Sequence, residues 1–317
     1  MTTFAFVFPG QGSQSVGMLD AWNDHPVVLA TLQEASDALG QDLAELIHQG
    51  PKEELALTTN TQPVMLVAAI AAYRVWLAEG GKPPAYVAGH SLGEYSALVA
   101  SGVLSLTQAV PLVRLRAQAM QEAVAVGAGA MAAILGLEAA KVVEICQQAQ
   151  AGFAAGSGEV VQAANFNDPG QTVISGSKAA VDKACELLKA AGAKRTLPLP
   201  VSAPFHCALM KPAAERLRLH LNSIVMQAPQ IPVINNIDVA QENDPARICD
   251  ALYRQAFGPV RWVESMQRMQ QLGVSHVVEC GPGKVLTGMV KRICPELRPQ
   301  ALYDPATLAE TRAFLTA

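Results

Sequence analysis

The sequence predicts an α/β protein in which a mostly parallel sheet is flanked by helices and interrupted by a small α+β module. Three observations carry this reading. The runs Phe4–Phe8 and Tyr86–Ala88 are short and apolar, as strands buried on both faces are. Half of the 317 residues are apolar but only 5% are aromatic. That alanine-, leucine- and valine-rich balance suits helices packed on a sheet better than an all-β sandwich. Between Gly127 and Pro198 the pattern changes to short strands interleaved with helices in the order β-α-β-β-α-β.

Element by element, the strand Phe4–Phe8 stops at Pro9-Gly10. Helical periodicity follows over Val27–Leu39, Leu43–Gln49 and Pro63–Glu79. Pro63 suits a first helical turn and Gly80-Gly81 a helix end. The strand Tyr86–Ala88 then turns sharply into a helix that closes near Gly102. Ser105 and Gln108 stand at capping-box spacing and open the next helix. Pro111 conflicts with that start, because an interior proline removes one backbone hydrogen bond; the helix either bends there or becomes regular nearer Val110.

The module reads as strand Met131–Leu135, helix Ala139–Ala149, strands Val160–Ala164 and Thr172–Ser175, helix Lys178–Ala191 and strand Arg195–Leu199. This is the order of a ferredoxin-like unit. Its flanks, Val126-Gly127-Ala128-Gly129 and Leu197-Pro198-Leu199-Pro200, suit two crossing linkers. The expected division is therefore 1–126 with 199–317 as the larger unit and 127–198 as the insertion. The larger unit resumes with helix Ala213–Ile224, strand Val233–Ile237, a helix from Pro245 and another over Val260–Leu272. The strand His276–Cys280 then enters the turn Gly281-Pro282-Gly283-Lys284.

Bulk properties exclude several classes. A formal net charge of −4 argues against non-specific nucleic-acid binding. Cys146, Cys185, Cys207, Cys249, Cys280 and Cys294 are scattered without a Cys-x-x-Cys pair, so neither a disulfide frame nor a zinc site is expected. The first residues carry no cationic stretch and meet Pro9 too early for a signal peptide. The apolar run Val64–Leu77 is broken by Arg74 and reads as a buried helix, too short to span a bilayer. A cytoplasmic protein without membrane or nucleic-acid contacts is expected.

Ser91 is the leading reactive candidate. It is the centre of Gly89-His90-Ser91-Leu92-Gly93, a Gly-x-Ser-x-Gly segment between a strand and a helix. Small residues let the chains pass at such an elbow, and the hydroxyl is held out beside the first helical N–H groups. A serine needs a base, and the six histidines are His25, His48, His90, His206, His220 and His276. His206 lies in the stiff loop Pro200-Val201-Ser202-Ala203-Pro204-Phe205-His206-Cys207, where the module hands back to the larger unit and can overhang a pocket. His90 adjoins the serine, but neighbouring side chains on an elbow diverge, which fits a pocket wall. Gly10-Gln11-Gly12 follows a strand, yet Ser15 stands where a dinucleotide fingerprint needs its third glycine, so nicotinamide or flavin is not expected.

Five ordered segments carry a resemblance: Phe8-Pro9-Gly10-Gln11-Gly12-Ser13-Gln14, Gly89 to Tyr95, Leu115-Arg116, Phe205-His206 and Gly281-Pro282-Gly283-Lys284-Val285-Leu286. Together they resemble the malonyl-CoA:acyl carrier protein transacylases of bacterial fatty-acid synthesis. Acyltransferase domains of polyketide synthases share much of the pattern. The resemblance covers nearly the whole chain and implies an α/β-hydrolase-like larger subdomain with a ferredoxin-like insertion, as the element order does.

The resemblance implies Ser91 as the acylated nucleophile and His206 as its base, with a backbone carbonyl at Gln255 orienting the base; an Asp or Glu partner stays open. It implies an oxyanion hole of the Gln11 and Leu92 N–H groups. Leu92 also earns that role physically, because it follows the nucleophile and opens a helix. Arg116 is implied in the pocket, where a guanidinium fork would bind the free carboxylate of malonate. Met120, one helical turn on, shares its face, while Arg114 points away. Phe205 and Asn165 are implied as pocket walls, and a bulky Phe205 favours malonyl over methylmalonyl.

The implied reaction is ping-pong, from malonyl-CoA to a malonyl-serine ester to the phosphopantetheine thiol of acyl carrier protein, without metal or redox cofactor. A monomer is expected. An acidic carrier calls for a local cationic face, with Lys178, Lys183, Lys189, Lys194 and Arg195, or Lys284, Lys291 and Arg292, as candidates. Gly281-Pro282-Gly283-Lys284 reads as a structural turn or a phosphate-binding helix start. Two other readings compete. A serine hydrolase would need an acidic triad partner, and a non-catalytic carrier-binding module would lose nothing on Ser91→Ala.

Overall fold

The computed structural model describes residues 2–22 and 24–316. The chain opens with β1 (Phe4–Phe8), followed by α1 (Pro26–Leu39), α2 (Leu43–Gln49), α3 (Lys52–Ala56) and α4 (Thr58–Ala78). Next come β2 (Tyr86–Gly89), α5 (Gly93–Ala100) and α6 (Leu106–Glu122). The middle of the chain forms β3 (Gly129–Leu135), α7 (Ala139–Ala151), β4 (Val161–Asp168), β5 (Gln171–Ser177), α8 (Lys178–Ala190) and β6 (Arg195–Pro198). The last part holds α9 (Lys211–Leu221), β7 (Val233–Ile234), α10 (Pro245–Phe257), α11 (Trp262–Gln271), β8 (His276–Cys280), α12 (Val285–Ile293), β9 (Arg298–Leu302) and α13 (Pro305–Thr316).

Two sheets result. One runs β7-β2-β1-β8-β9, with every pair parallel. Its strands are covered on both faces, and the alternation of β1 shows it. Phe6 and Phe8 enter the large core with α1, α4 and α6, while Ala5 and Val7 enter a second core with α11 and α12. The other sheet runs β4-β5-β3-β6 with every pair antiparallel, the ferredoxin arrangement, and α7 and α8 pack on one face of it.

Several sequence expectations need correction. α4 starts at Thr58, not Pro63, and α6 starts at Ser105's capping box, so each proline is the sixth residue of its helix. Each removes a single i→i−4 bond near the helix start, and burial of the flanking residues outweighs that local cost. α4 is also long and apolar enough to cross a membrane by length and composition; most of it is buried inside this fold, with Arg74 donating to Glu34 at 2.6 Å. β7 stops at Ile234, short of the expected Ile237. Beyond it the Asn236 N–H leaves the ladder for a Glu94 carboxylate oxygen at 2.9 Å. β9 carries Pro299, which hid it from a strand pattern; as the sheet's edge it tolerates a missing donor.

The two sheets are stitched together beside the site. Val260 N–H donates to Ala164 O at 2.8 Å and Phe166 N–H to Val260 O at 2.9 Å, which brings Asn165 on β4 to the larger sheet's side. The loop after β6 is held from β3 and β4 as well. Leu199 N–H donates to Met131 O at 2.9 Å, and Ala208 N–H to Gln162 Oε1 at 2.7 Å.

Candidate active site

The register of the parallel sheet builds the elbow. Phe8 pairs with Gly89 and Ala88 with Ile234, so β2 leaves the sheet between β1 and β7 at His90. A Cβ on Gly89 would lie 1.9 Å from the Gly93 backbone, and one on Gly93 would lie 2.1 Å from Phe8 O. Both glycines are therefore required by close passage of backbone. Ser91 itself sits at φ 52, the left-handed region that non-glycine residues adopt at a cost of roughly 1–3 kcal/mol. Asn236 clamps the turn. Its Oδ1 accepts the Ser91 N–H at 2.7 Å and its Nδ2 donates to Gly89 O at 2.7 Å.

The Ser91 hydroxyl lies 2.6 Å from His206 Nε2. His206 Nδ1 faces two backbone carbonyls, Gln255 O at 3.0 Å and Gly258 O at 3.2 Å. A carbonyl only accepts, so Nδ1 carries the proton and Nε2 offers its lone pair to the serine. Neither acceptor is a carboxylate, which closes the question of an acidic partner at this nitrogen. Burial, and then the nearby Arg116 charge, lower the imidazole from its ordinary 6.5 to about 3. It is neutral and able to take a proton over the whole neutral range. His206 is also at positive φ, 61°, so both members of the pair are held in left-handed turns.

Arg116 reaches the same hydroxyl from α6. Its Nη2 donates to Ser91 Oγ at 3.2 Å and to Gln255 Oε1 at 3.2 Å, and its Nη1 to Gln62 Oε1 at 2.8 Å. The guanidinium is 2% exposed, lies 5.4 Å from the Tyr95 ring centroid, and has no salt bridge among the described residues. Its Nε has no hydrogen-bond partner among the described residues. Its direct hydrogen-bond partners are all neutral, and the Glu94 carboxyl acts on it only from behind Gln255, so the guanidinium can still take an anion in the cavity. Arg114, two residues earlier, faces the other way and bonds Gln41.

A cavity of about 550 Å³ joins these groups and is lined by Gln11, His90, Leu92, Asn165 and Phe205 besides the three already described. The N–H groups of Gln11 and Leu92 find no acceptor among the described residues, and both residues line this space. His90 is held at the wall by Asn167 Oδ1, 2.8 Å from its Nε2, and by the Trp262 ring. Asn165 brings a buried Oδ1 with no hydrogen-bond partner among the described residues. Met120 is not among the residues that line the cavity; it is buried in the apolar core.

Other expected features fare differently. Lys178 and Lys183 are tied to Asp182 and Glu186, and Arg292 to Asp168. The Gly281–Lys284 turn is structural: Glu279 accepts the Thr287 N–H and hydroxyl, each at 2.7 Å, so a carboxyl of the chain itself already occupies the start of α12. Sequence reasoning missed Gln62, Glu94, Asn236 and Gly258. Gln62 gave no local signal, since it closes the polar stretch Thr58–Gln62 that opens α4 ahead of the apolar run.

A cavity that can put an ester on a strained serine while holding an anion beside it belongs to a serine-nucleophile acyltransferase. The chain belongs to the acyl transferase family, whose domain matches residues 5–305, and within it to the malonyl CoA-acyl carrier protein transacylases. It is 55% identical to the malonyl CoA-acyl carrier protein transacylase of Escherichia coli K12 over 310 residues, 98% of each chain. With the Bacillus subtilis enzyme of the same name it shares 44% identity over 309 residues, 97% of this chain and 96% of that one. A crystal structure of the Burkholderia pseudomallei acyl-carrier-protein S-malonyltransferase superposes with a TM-score of 0.95 at 59% identity, covering both chains fully. A malonyl-transacylase solved in complex with a type II PKS acyl-carrier protein superposes at 0.94 with 50% identity, covering 97% of this chain and 98% of that one.

Proposed function

We propose that this chain transfers a malonyl group from malonyl-CoA to the phosphopantetheine thiol of an acyl carrier protein through a malonyl ester on Ser91. One observation carries the substrate: Arg116 is a fully buried guanidinium whose direct hydrogen-bond partners are all neutral, 3.2 Å from the reactive oxygen. A malonyl thioester presents its carbonyl to Ser91 and its free carboxylate to Arg116, and so supplies a directly bonded anion.

The steps balance without a metal or redox cofactor. Ser91 Oγ attacks the thioester carbonyl as its proton passes to His206 Nε2. The oxyanion forms against the Gln11 and Leu92 N–H groups, each donor being worth about 3 kcal/mol of barrier. The C–S bond breaks, and His206 returns the proton to the CoA sulfur. In the second half His206 takes the proton of the carrier's thiol, the thiolate attacks the ester, and Ser91 regains its hydrogen. A carboxylate bound at Arg116 covers the ester from one side, which favours a thiol acceptor over water. Phe205 narrows the cavity and favours malonyl over methylmalonyl.

Residues 127–198 act as an inserted subdomain that supplies Asn165 and holds the His206 loop, and 1–126 with 199–317 act as the catalytic one. Lys189, Lys194 and Arg195 on the insertion, and Lys284 and Lys291 on the larger unit, lie outside any salt bridge among the described residues and are the docking candidates for an acidic carrier. The protein works in the cytoplasm as a monomer. Incubation with malonyl-CoA adds one malonyl group at Ser91, seen by intact-protein mass spectrometry and absent in Ser91→Ala. Steady release of free malonate with no carrier-bound product would make the protein a hydrolase instead.

A further inference from the structure

We propose that Glu94, buried behind the elbow and outside the substrate cavity, is a positioning residue for the nucleophile, acting on Ser91 through Asn236 and Gln255. The proposal rests on the transacylase reading only for its natural substrate.

One carboxylate oxygen, Glu94 Oε2, accepts both the Asn236 backbone N–H at 2.9 Å and Gln255 Nε2 at 3.0 Å. Each of those residues then grips Ser91. Asn236 Oδ1 accepts the Ser91 N–H at 2.7 Å, and Gln255 Nε2 donates to Ser91 O at 3.0 Å. The two peptide groups flanking the nucleophile are thus fixed from one anchor 2% exposed, and Asn236 and Gln255 are fully buried with it. A left-handed serine persists only where its surroundings leave it no alternative, and here that constraint converges on Glu94.

The network does more than hold the turn. Gln255 Oε1 accepts from Arg116 at 3.2 Å, and its main-chain oxygen accepts from His206 Nδ1 at 3.0 Å. Glu94 therefore stands behind the nucleophile, the carbonyl that orients the base, and the cationic fork together. It touches neither substrate nor reacting atom. The charged and titratable groups bearing on it are Arg116 from α6, Asp238 after β7, Tyr95 beside it on α5, and Glu242 across a small cavity. Burial raises its carboxyl to about 7. Above that pH the charged oxygen makes both hydrogen bonds strong; protonation weakens them.

The test measures how fast Ser91 is modified, by malonyl-CoA and separately by a fluorophosphonate, in wild type, Glu94→Ala and Glu94→Gln. Glu94→Ala should slow both reactions at least about tenfold while KM for malonyl-CoA stays within about threefold. Glu94→Gln keeps an acceptor oxygen and should return to within about threefold of wild type. It should also lose an inflection near pH 7 that wild type shows, with the faster rate on the alkaline side. Wild-type rates in Glu94→Ala, or an unshifted inflection in Glu94→Gln, would overturn the proposal. If Glu94→Ala does not fold, the Glu94→Gln pH profile decides alone. A wild type that reacts with the fluorophosphonate but not with malonyl-CoA sinks the transacylase reading and leaves this one standing.

Discussion

The two ends of the cavity are built in opposite ways. At the reactive end, Ser91 and His206 both stand in turns at positive φ, and main-chain groups or buried amides fix them. At the recognition end, Arg116 and Gln62 project from regular helices, α6 and α4, which form part of the large core. The reactive end thus depends on loop conformation, and the recognition end on helix packing. Groups that must sit within a fraction of an ångström of a reacting atom are aimed by strained backbone; a group that must hold a charge is buried by rigid neighbours. Each end should therefore fail in its own kinetic parameter.

The largest effect is expected at the reactive end. Replacing His206 by Ala leaves the serine without a proton acceptor, so the single-turnover rate of Ser91 acylation should fall at least about 10³-fold. Malonyl-CoA affinity, measured by calorimetry, should change little, since the carboxylate still meets Arg116. A loss shared equally between affinity and rate would mean that the two ends are not separable.

The recognition end gives the next largest effect. Arg116→Ala removes the fork that a substrate carboxylate would need, and truncating such a buried charged partner costs about 2–5 kcal/mol. Loading from malonyl-CoA should drop by at least about 30-fold in kcat/KM, whereas acetyl-CoA, with no carboxylate, should lose far less. Equal losses for the two thioesters would take Arg116 out of acyl recognition.

The same division explains what could be read from the chain. The elbow is local: Gly89, Ser91 and Gly93 lie within five residues, and the close passages found at both glycines are what their spacing implies. The ferredoxin order of the insertion is likewise a sequence of local periods, and it appears strand for strand. Arg116 was legible only through resemblance, because a lone arginine on a helix reads as a solvated charge until its neighbours are known. Glu94, Asn236 and Gln255 carry no local signature at all; their hydrogen bonds join positions 142 to 161 residues apart. Pro63 and Pro111 misled in the other direction, since local rules exclude interior proline and core burial overrode them.

The smallest and most discriminating effect is a pH shift that links the two ends. Burial and the Arg116 charge hold the free His206 imidazole at about 3. In a Glu94→Gln background, where the carboxyl near 7 is absent, the acid limb of kcat/KM should therefore lie well below 6.5, because kcat/KM reports the free enzyme. A bound carboxylate offsets part of the Arg116 charge, so the acid limb of kcat for malonyl-CoA should sit at higher pH than that of kcat/KM. With acetyl-CoA the gap should shrink, since nothing neutralises the guanidinium. Stability carries the same sign: the unfolded chain binds a proton near 6.5 that folded His206 refuses until about 3, so this residue's contribution falls as pH drops below 6.5. Acid limbs at 6.5 for both thioesters would mean an imidazole in water-like surroundings, and the charge coupling between the two ends would be gone.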